Sequence, residues 1–144
     1  MFKSRGAKMS AAAAAAPTRV VARSLAELSA AVSAHAASGR LFVLFSGADG
    51  WCPDCELAHP HVEAAVARAA AAAPIVLVEV PLPRAEYSVS ANPANSAHWA
   101  RTHKVFQLKK IPTLVKLNKS GDKKLGELVE GEAADDALLD SLLE

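Results

Sequence analysis

Two cysteines stand three residues apart, Cys52 and Cys55, and the 144-residue chain has no others. Thiol–disulfide exchange asks two things of a protein. One thiol must ionise, because the thiolate is the nucleophile. A second must lie close enough to release the first from the mixed disulfide it forms. The turn-forming run Gly47-Ala48-Asp49-Gly50 precedes the pair, and an alanine-rich segment of helical character follows to about Ala73. The pair therefore falls at a helix start, where positions i and i+3 share one face. The unpaired amides and positive dipole end of a first turn favour a thiolate at Cys52. Cys55 lies one turn further in and is more shielded. Cys52 is thus the expected attacking thiol and Cys55 the expected resolving thiol. Pro53 suits a first helical turn, where its missing N–H costs nothing. Asp54 complements the dipole yet opposes ionisation of the thiols beside it. The helix end is expected to win, leaving Cys52 more acidic than a free cysteine.

Two other chemistries fit the same residues. A C-x-x-C pair is half of many zinc sites, and Cys52, Cys55, His59 and His61 form a conceivable ligand set. Against it, a helix begun at Pro53 turns His61 away from Cys55, and structural zinc sites usually draw their halves from separate segments. Alternatively, the pair is a switch in a redox-sensitive interaction module whose partner binds one oxidation state only. With no third cysteine there is no structural bridge to build, and the pattern fits a reducing compartment.

The elements that must hold these residues follow from patterning. Thr18–Ala22 is a short β-branched stretch, hence a first strand. Ser24 and Glu27 form a capping box ahead of a helix that Gly39 ends. Leu41–Phe45 and Ile75–Val80 are short continuous apolar runs, the mark of strands buried on both faces. Pro60 should kink the helix after the cysteines. A proline-rich loop covers 81–94, and Asn95–His103 reads as one short helix containing Trp99. Ile111–Leu117 reads as a strand opened by Pro112, and Leu125–Val129 as its hairpin partner. Ala133–Leu143 reads as a terminal helix packed through Leu138, Leu139, Leu142 and Leu143. Strands alternating with helices give an α/β fold with a central mixed sheet and helices on both faces.

Composition narrows the setting. The length suits one domain. A net charge of +1 supplies no field for nucleic acid. No apolar run reaches membrane-spanning length. Residues 1–23 carry five cations and no carboxylate, so the rest is mildly acidic. Residues 1–17, with the weakly hydrophobic run Ala11–Ala16, read as a disordered or targeting extension before a domain at 18–144. Met9 is an alternative start. The expected address is the cytoplasm, with organelle import through the basic, alanine-rich N-terminus as the alternative.

The apolar strand, the loop, Trp51-Cys52-Pro53-Asp54-Cys55 and Ile111-Pro112-Thr113 together resemble the thioredoxin superfamily. The five-residue motif resembles the thioredoxin domain-containing protein 17 family in particular. Pro60, eight residues after Cys52, and Asn92-Pro93-Ala94-Asn95 match the same pattern, which covers roughly residues 18–144. The resemblance implies a thioredoxin-like fold with a cis peptide bond at Pro112 beside the cysteines. It implies that the Ile111 backbone pairs with an extended substrate, in the manner of strand addition, and that Trp51 and Pro53 flank the site. It further implies a monomeric reductase of disulfide-containing proteins and of small disulfides such as cystine. Electrons would come from NADPH through a thioredoxin reductase, with no protein-bound cofactor. Two departures stand out. The loop between Phe45 and Trp51 is shorter than usual in that family. Leu44 stands where thioredoxins proper place a buried carboxylate, leaving Asp54, or failing it Asp49, as proton acceptor for Cys55. Lys109 and Lys110 are candidates to flank the substrate groove, Tyr87 to form a wall of it. His98 and His103 read as surface or packing residues.

Overall fold

The computed structural model describes residues 16–144. Most of the extension expected at 1–17, including Met9, therefore lies outside the described residues. A five-stranded sheet is built from β1 (Thr18–Val21), β2 (Leu41–Gly47), β3 (Val76–Leu82), β4 (Thr113–Leu117) and β5 (Lys124–Val129). Its order is β1-β3-β2-β4-β5. The first three strands run parallel; β4 is antiparallel to β2, and β5 to β4. β2 is central, and its alternating side chains feed both cores. Leu41, Val43 and Phe45 enter one; Phe42 and Leu44 enter the other. That two-sided burial is why the strand reads as an unbroken apolar run.

Helices cover both faces. On one, α1 (Leu25–His35) contributes Leu28 and Ala31. The Ser24 side chain accepts from the Glu27 amide at 3.1 Å, while Glu27 reaches back to the Arg23 amide at 2.7 Å. The reciprocal cap is thus present, shifted one residue outward. Gly39 follows a short 3₁₀ turn with φ +80, a conformation only glycine adopts without strain. On the other face, α2 (Pro53–Ala72) lays Ala58, Val62, Ala65, Val66 and Ala70 against the sheet. The small alanines let helix and sheet backbones approach closely. The helix continues through Pro60, whose ring nitrogen has no hydrogen to donate to the Glu56 carbonyl. Arg40 closes this end, donating to the carbonyls of Ala69, Ala73, Pro74 and Leu143. It thereby satisfies acceptors left over at a helix end.

Four local expectations need correction. The 81–94 stretch is not all loop: β3 runs on to Leu82 and a one-turn α3 (Arg84–Tyr87) follows. Asn95–His103 is not one helix. A 3₁₀ turn, Pro93–Ala97, gives way to α4 (Trp99–Thr102) at His98, whose side chain accepts from the Ala100 amide at 3.1 Å. Ile111 and Pro112 precede the β4 ladder, which starts at Thr113, as a residue without an N–H favours. The terminal helix is likewise divided. A 3₁₀ segment covers Glu130–Ala134, and α5 spans Asp136–Leu142 behind Asp135, which accepts from the Leu138 amide. Leu139 and Leu143 are buried, but Leu138 is 41% exposed. Leu139 and Leu143 are four residues apart and share the packed face, which leaves Leu138 beside it.

Candidate active site

The C-terminal end of central strand β2 delivers the chain to the mouth of α2. A tight turn joins them, with Asp49 (φ 57) and Gly50 (φ 75) both left-handed. This curl reverses the chain within the short loop. Cys52 is the N-cap of α2, and its sulfur accepts from the Cys55 amide at 3.3 Å. A cysteine thus does what serine or aspartate does at an ordinary helix start. The two sulfurs are joined in a disulfide, with Cα atoms 5.3 Å apart. Cys55 Sγ also accepts from the Gly47 amide at 3.3 Å.

The second wall is the turn before β4. The Ile111–Pro112 peptide is cis. The Ile111 carbonyl lies 4.0 Å from Cys52 Sγ, and Pro112 lines a small cavity shared with Cys55. Two bonds hold this turn: Glu130 N–H to Pro112 O at 2.7 Å, and Thr113 Oγ1 to Lys110 O at 2.6 Å. Behind it, Arg101 donates to the carbonyls of Lys109 and Tyr87. Trp51 is half-buried, with Nε1 donating to the Leu82 carbonyl at 2.7 Å.

Cys52, Cys55, Trp51, Ile111 and Pro112 therefore come together. Pro53 and Asp54 sit exposed on the first turn of α2. Cys52 is only 6% exposed, less open than a surface nucleophile, because Gly47 and the Ile111 turn close over it. Tyr87 is not a site wall. It is buried beneath the Arg101 guanidinium, which stands 4.0 Å from its ring centre. Burial pushes its hydroxyl pKa up, against the opposing pull of Arg101. Burial lowers the pKa of His98, with Glu86 opposing and Arg101 assisting. It also lowers that of His103, with Lys104 assisting. Lys109 and Lys110 are exposed, and Lys110 lies 3.7 Å from Glu130. The four conceivable zinc ligands do not converge: the cysteines bond each other, and His61 meets Asp136 at 2.9 Å.

Gly47 escaped the sequence reading except as part of a turn. A Cβ there would stand 2.7 Å from Cys52 Cβ and 3.0 Å from the Trp51 ring. Gly47→Ala should therefore displace both side chains, at an overpacking cost of about 1–3 kcal/mol. Urea unfolding and Trp51 fluorescence check this; unchanged values for both would refute it. The glycines bracketing the turn were the available signal.

The Cys55 amide and the helix dipole both favour a charged Cys52 sulfur. In a Cys55→Ser protein, the Cys52 thiol should titrate below about 8.5, the ordinary cysteine value. Thiolate absorbance against pH measures it, and a midpoint at or above that value contradicts the assignment.

Residues 21–144 match the family described as thioredoxin domain-containing protein 17-like, thioredoxin domain. A stretch of 81 residues is 33% identical to the acireductone dioxygenase of Leishmania major. It makes up 54% of this chain but spans only 22% of that relative. The fold is similar to that of the reduced Schistosoma mansoni thioredoxin pre-protein, with a TM-score of 0.55 and 14% identity. It is also similar to oxidised thioredoxin O1 from Arabidopsis thaliana, with a TM-score of 0.54 and 20% identity. Both alignments cover 88% of this chain and 95% of the other. At these identities the structures speak for the fold, and the family match covers β2 to β5, the cysteine pair and the Pro112 turn: this chain belongs to the thioredoxin domain-containing protein 17-like family, within the thioredoxin superfamily.

Proposed function

We propose that this protein is a thiol–disulfide oxidoreductase that works as a disulfide reductase. The observation that carries the reading is the Cys52–Cys55 disulfide at the mouth of α2, with the Cys52 sulfur facing the Ile111 carbonyl. In the reduced protein, the Cys52 thiolate attacks a substrate disulfide. One substrate sulfur leaves as a thiolate, and the other stays bonded to Cys52. Cys55 then attacks Cys52 Sγ, the second substrate sulfur leaves, and the internal disulfide closes. Two electrons pass from the dithiol to the substrate. The cis turn presents the Ile111 backbone to an extended substrate segment, with Pro112 packed beneath. Trp51 forms an aromatic flank, and Pro53 the outer lip. Asp54 tunes the first turn electrostatically. Small disulfides such as cystine and selected protein disulfides are the substrates, and a thioredoxin reductase-type enzyme returns the electrons from NADPH. The protein works as a monomer in a reducing compartment such as the cytoplasm. Among the described residues no helix is long and apolar enough to cross a membrane.

The test is NADPH oxidation in the presence of a thioredoxin reductase and either cystine or a protein disulfide. Catalytic consumption that requires this protein supports the reading. No consumption with any reductase or dithiol donor, despite an intact reducible pair, rejects it.

A further inference from the structure

Cys55 poses a chemical problem. It must lose its proton before it can attack Cys52 Sγ, yet it is 3% exposed, and burial disfavours an isolated thiolate. The side chain of Leu44, on the strand beside it, offers no base. Asp54 and Asp49 are exposed, and neither lines the space next to the Cys55 sulfur. That space is a cavity of about 10 Å³ whose walls include Leu44, Ser46, Cys55, Ala58, His59 and Pro112. It has room for about one water. The only acid–base side chain on its wall, apart from Cys55 itself, is His59, one helical turn beyond Cys55.

We propose that His59 is the proton acceptor for Cys55, acting through one water in this cavity. The inference rests on the reductase reading above. In the mixed disulfide, the Cys55 thiol gives its proton to the water, which passes one to neutral His59. The Cys55 thiolate forms the bond to Cys52 Sγ as the Cys52–substrate bond breaks. The electron pair leaves on the substrate sulfur, and His59 later returns its proton to solvent. The exit is in place, because His59 is exposed and also lines an outer groove of about 250 Å³ with Arg23, Ser46, Glu79 and Pro81. Histidine is the side chain best suited to take up and release a proton near neutral pH.

The charged groups around it are few. Arg23 and Glu79 share the outer groove. Glu79 is held by Arg19 at 3.0 Å, and Arg19 also pairs with Glu63, one turn along α2. Asp54 and Glu56 precede His59 on its own helix. Glu79 is a rival base, but it lines the groove and not the inner cavity. Leu44, its register partner, lines both spaces.

The experiment mixes the reduced full-length protein with a nitrobenzoate disulfide whose released thiolate is coloured, in a stopped-flow instrument. Attack by Cys52 releases one coloured thiolate, at a rate set by reagent concentration. Resolution by Cys55 releases the second, independently of concentration. His59→Gln should slow the second phase about 100-fold or more at neutral pH and leave the first phase in place. The deficit should shrink as pH rises and hydroxide takes over the deprotonation. Added imidazole should restore part of the rate. His59→Glu should keep a base, with its pH limb moved to the acid side. An unchanged second phase in His59→Gln, or a slowdown equal in both phases or identical at every pH, would overturn the assignment. So would a second-phase loss appearing in Asp54→Asn in place of His59→Gln. A wild-type protein that releases only one equivalent would instead reject the dithiol reductase reading itself.

Discussion

A Cys55→Ser protein should form stable mixed disulfides with its substrates and lose turnover to background. Cys52→Ser should lose turnover without forming them. The asymmetry follows from position. Cys52 is the N-cap, its sulfur receiving an amide hydrogen bond from Cys55 and lying against the Ile111 carbonyl where a substrate chain would pass. Cys55 is held behind it, its sulfur taking the Gly47 amide. On the proposed mechanism the outer sulfur meets the incoming disulfide and the inner one releases it. Serine nearly preserves size but supplies neither a comparable nucleophile nor an S–S bond. Mass spectrometry after exposure to cystine should show one added half-cystine on Cys55→Ser and none on Cys52→Ser. The reverse pattern would exchange the two roles, and adducts on neither would remove the mechanism.

The second large effect is on stability. Phe45→Ala should destabilise the fold by about 3–5 kcal/mol, a large share of the roughly 5–15 kcal/mol that holds a domain together. Phe45 is fully buried on the central strand and meets Phe106 edge-on, with ring centres 5.1 Å apart. It shares its core cluster with Cys52 and Cys55. Its loss opens a cavity directly beneath the site. Urea unfolding followed by circular dichroism measures the change. A loss below about 1 kcal/mol would mean that the surrounding core collapses to fill the gap. A control at exposed Leu125 should stay within about 0.5 kcal/mol.

Much of the architecture was legible because the signals are local. Continuous apolar runs gave β2 and β3. Ser24 with Glu27 gave the start of α1, and Pro53 the start of α2. The errors fall where side-chain caps cut helices that hydropathy leaves whole. His98 starts α4 by taking the Ala100 amide, and Asp135 starts α5 by taking that of Leu138. Periodicity registers spacing, whereas a cap depends on where one side chain points. The burial of Tyr87 is hidden from the sequence for a related reason. A tyrosine in a proline-rich segment looks available, and only the Arg101 guanidinium above it shows that it belongs to the interior.

The chain order alone placed two thiols three residues apart at a helix start. Spacing and dipole are properties of neighbouring residues, so they can be read without a fold. What stands against those thiols comes from 59 positions away, in the Ile111 turn, and from the glycine that lets Trp51 and Cys52 close down. The water-sized space joining Cys55 to His59 likewise needs β2, α2 and the Pro112 turn packed together. Contacts between distant segments arise only when the sheet brings them to one edge, and no local pattern encodes them.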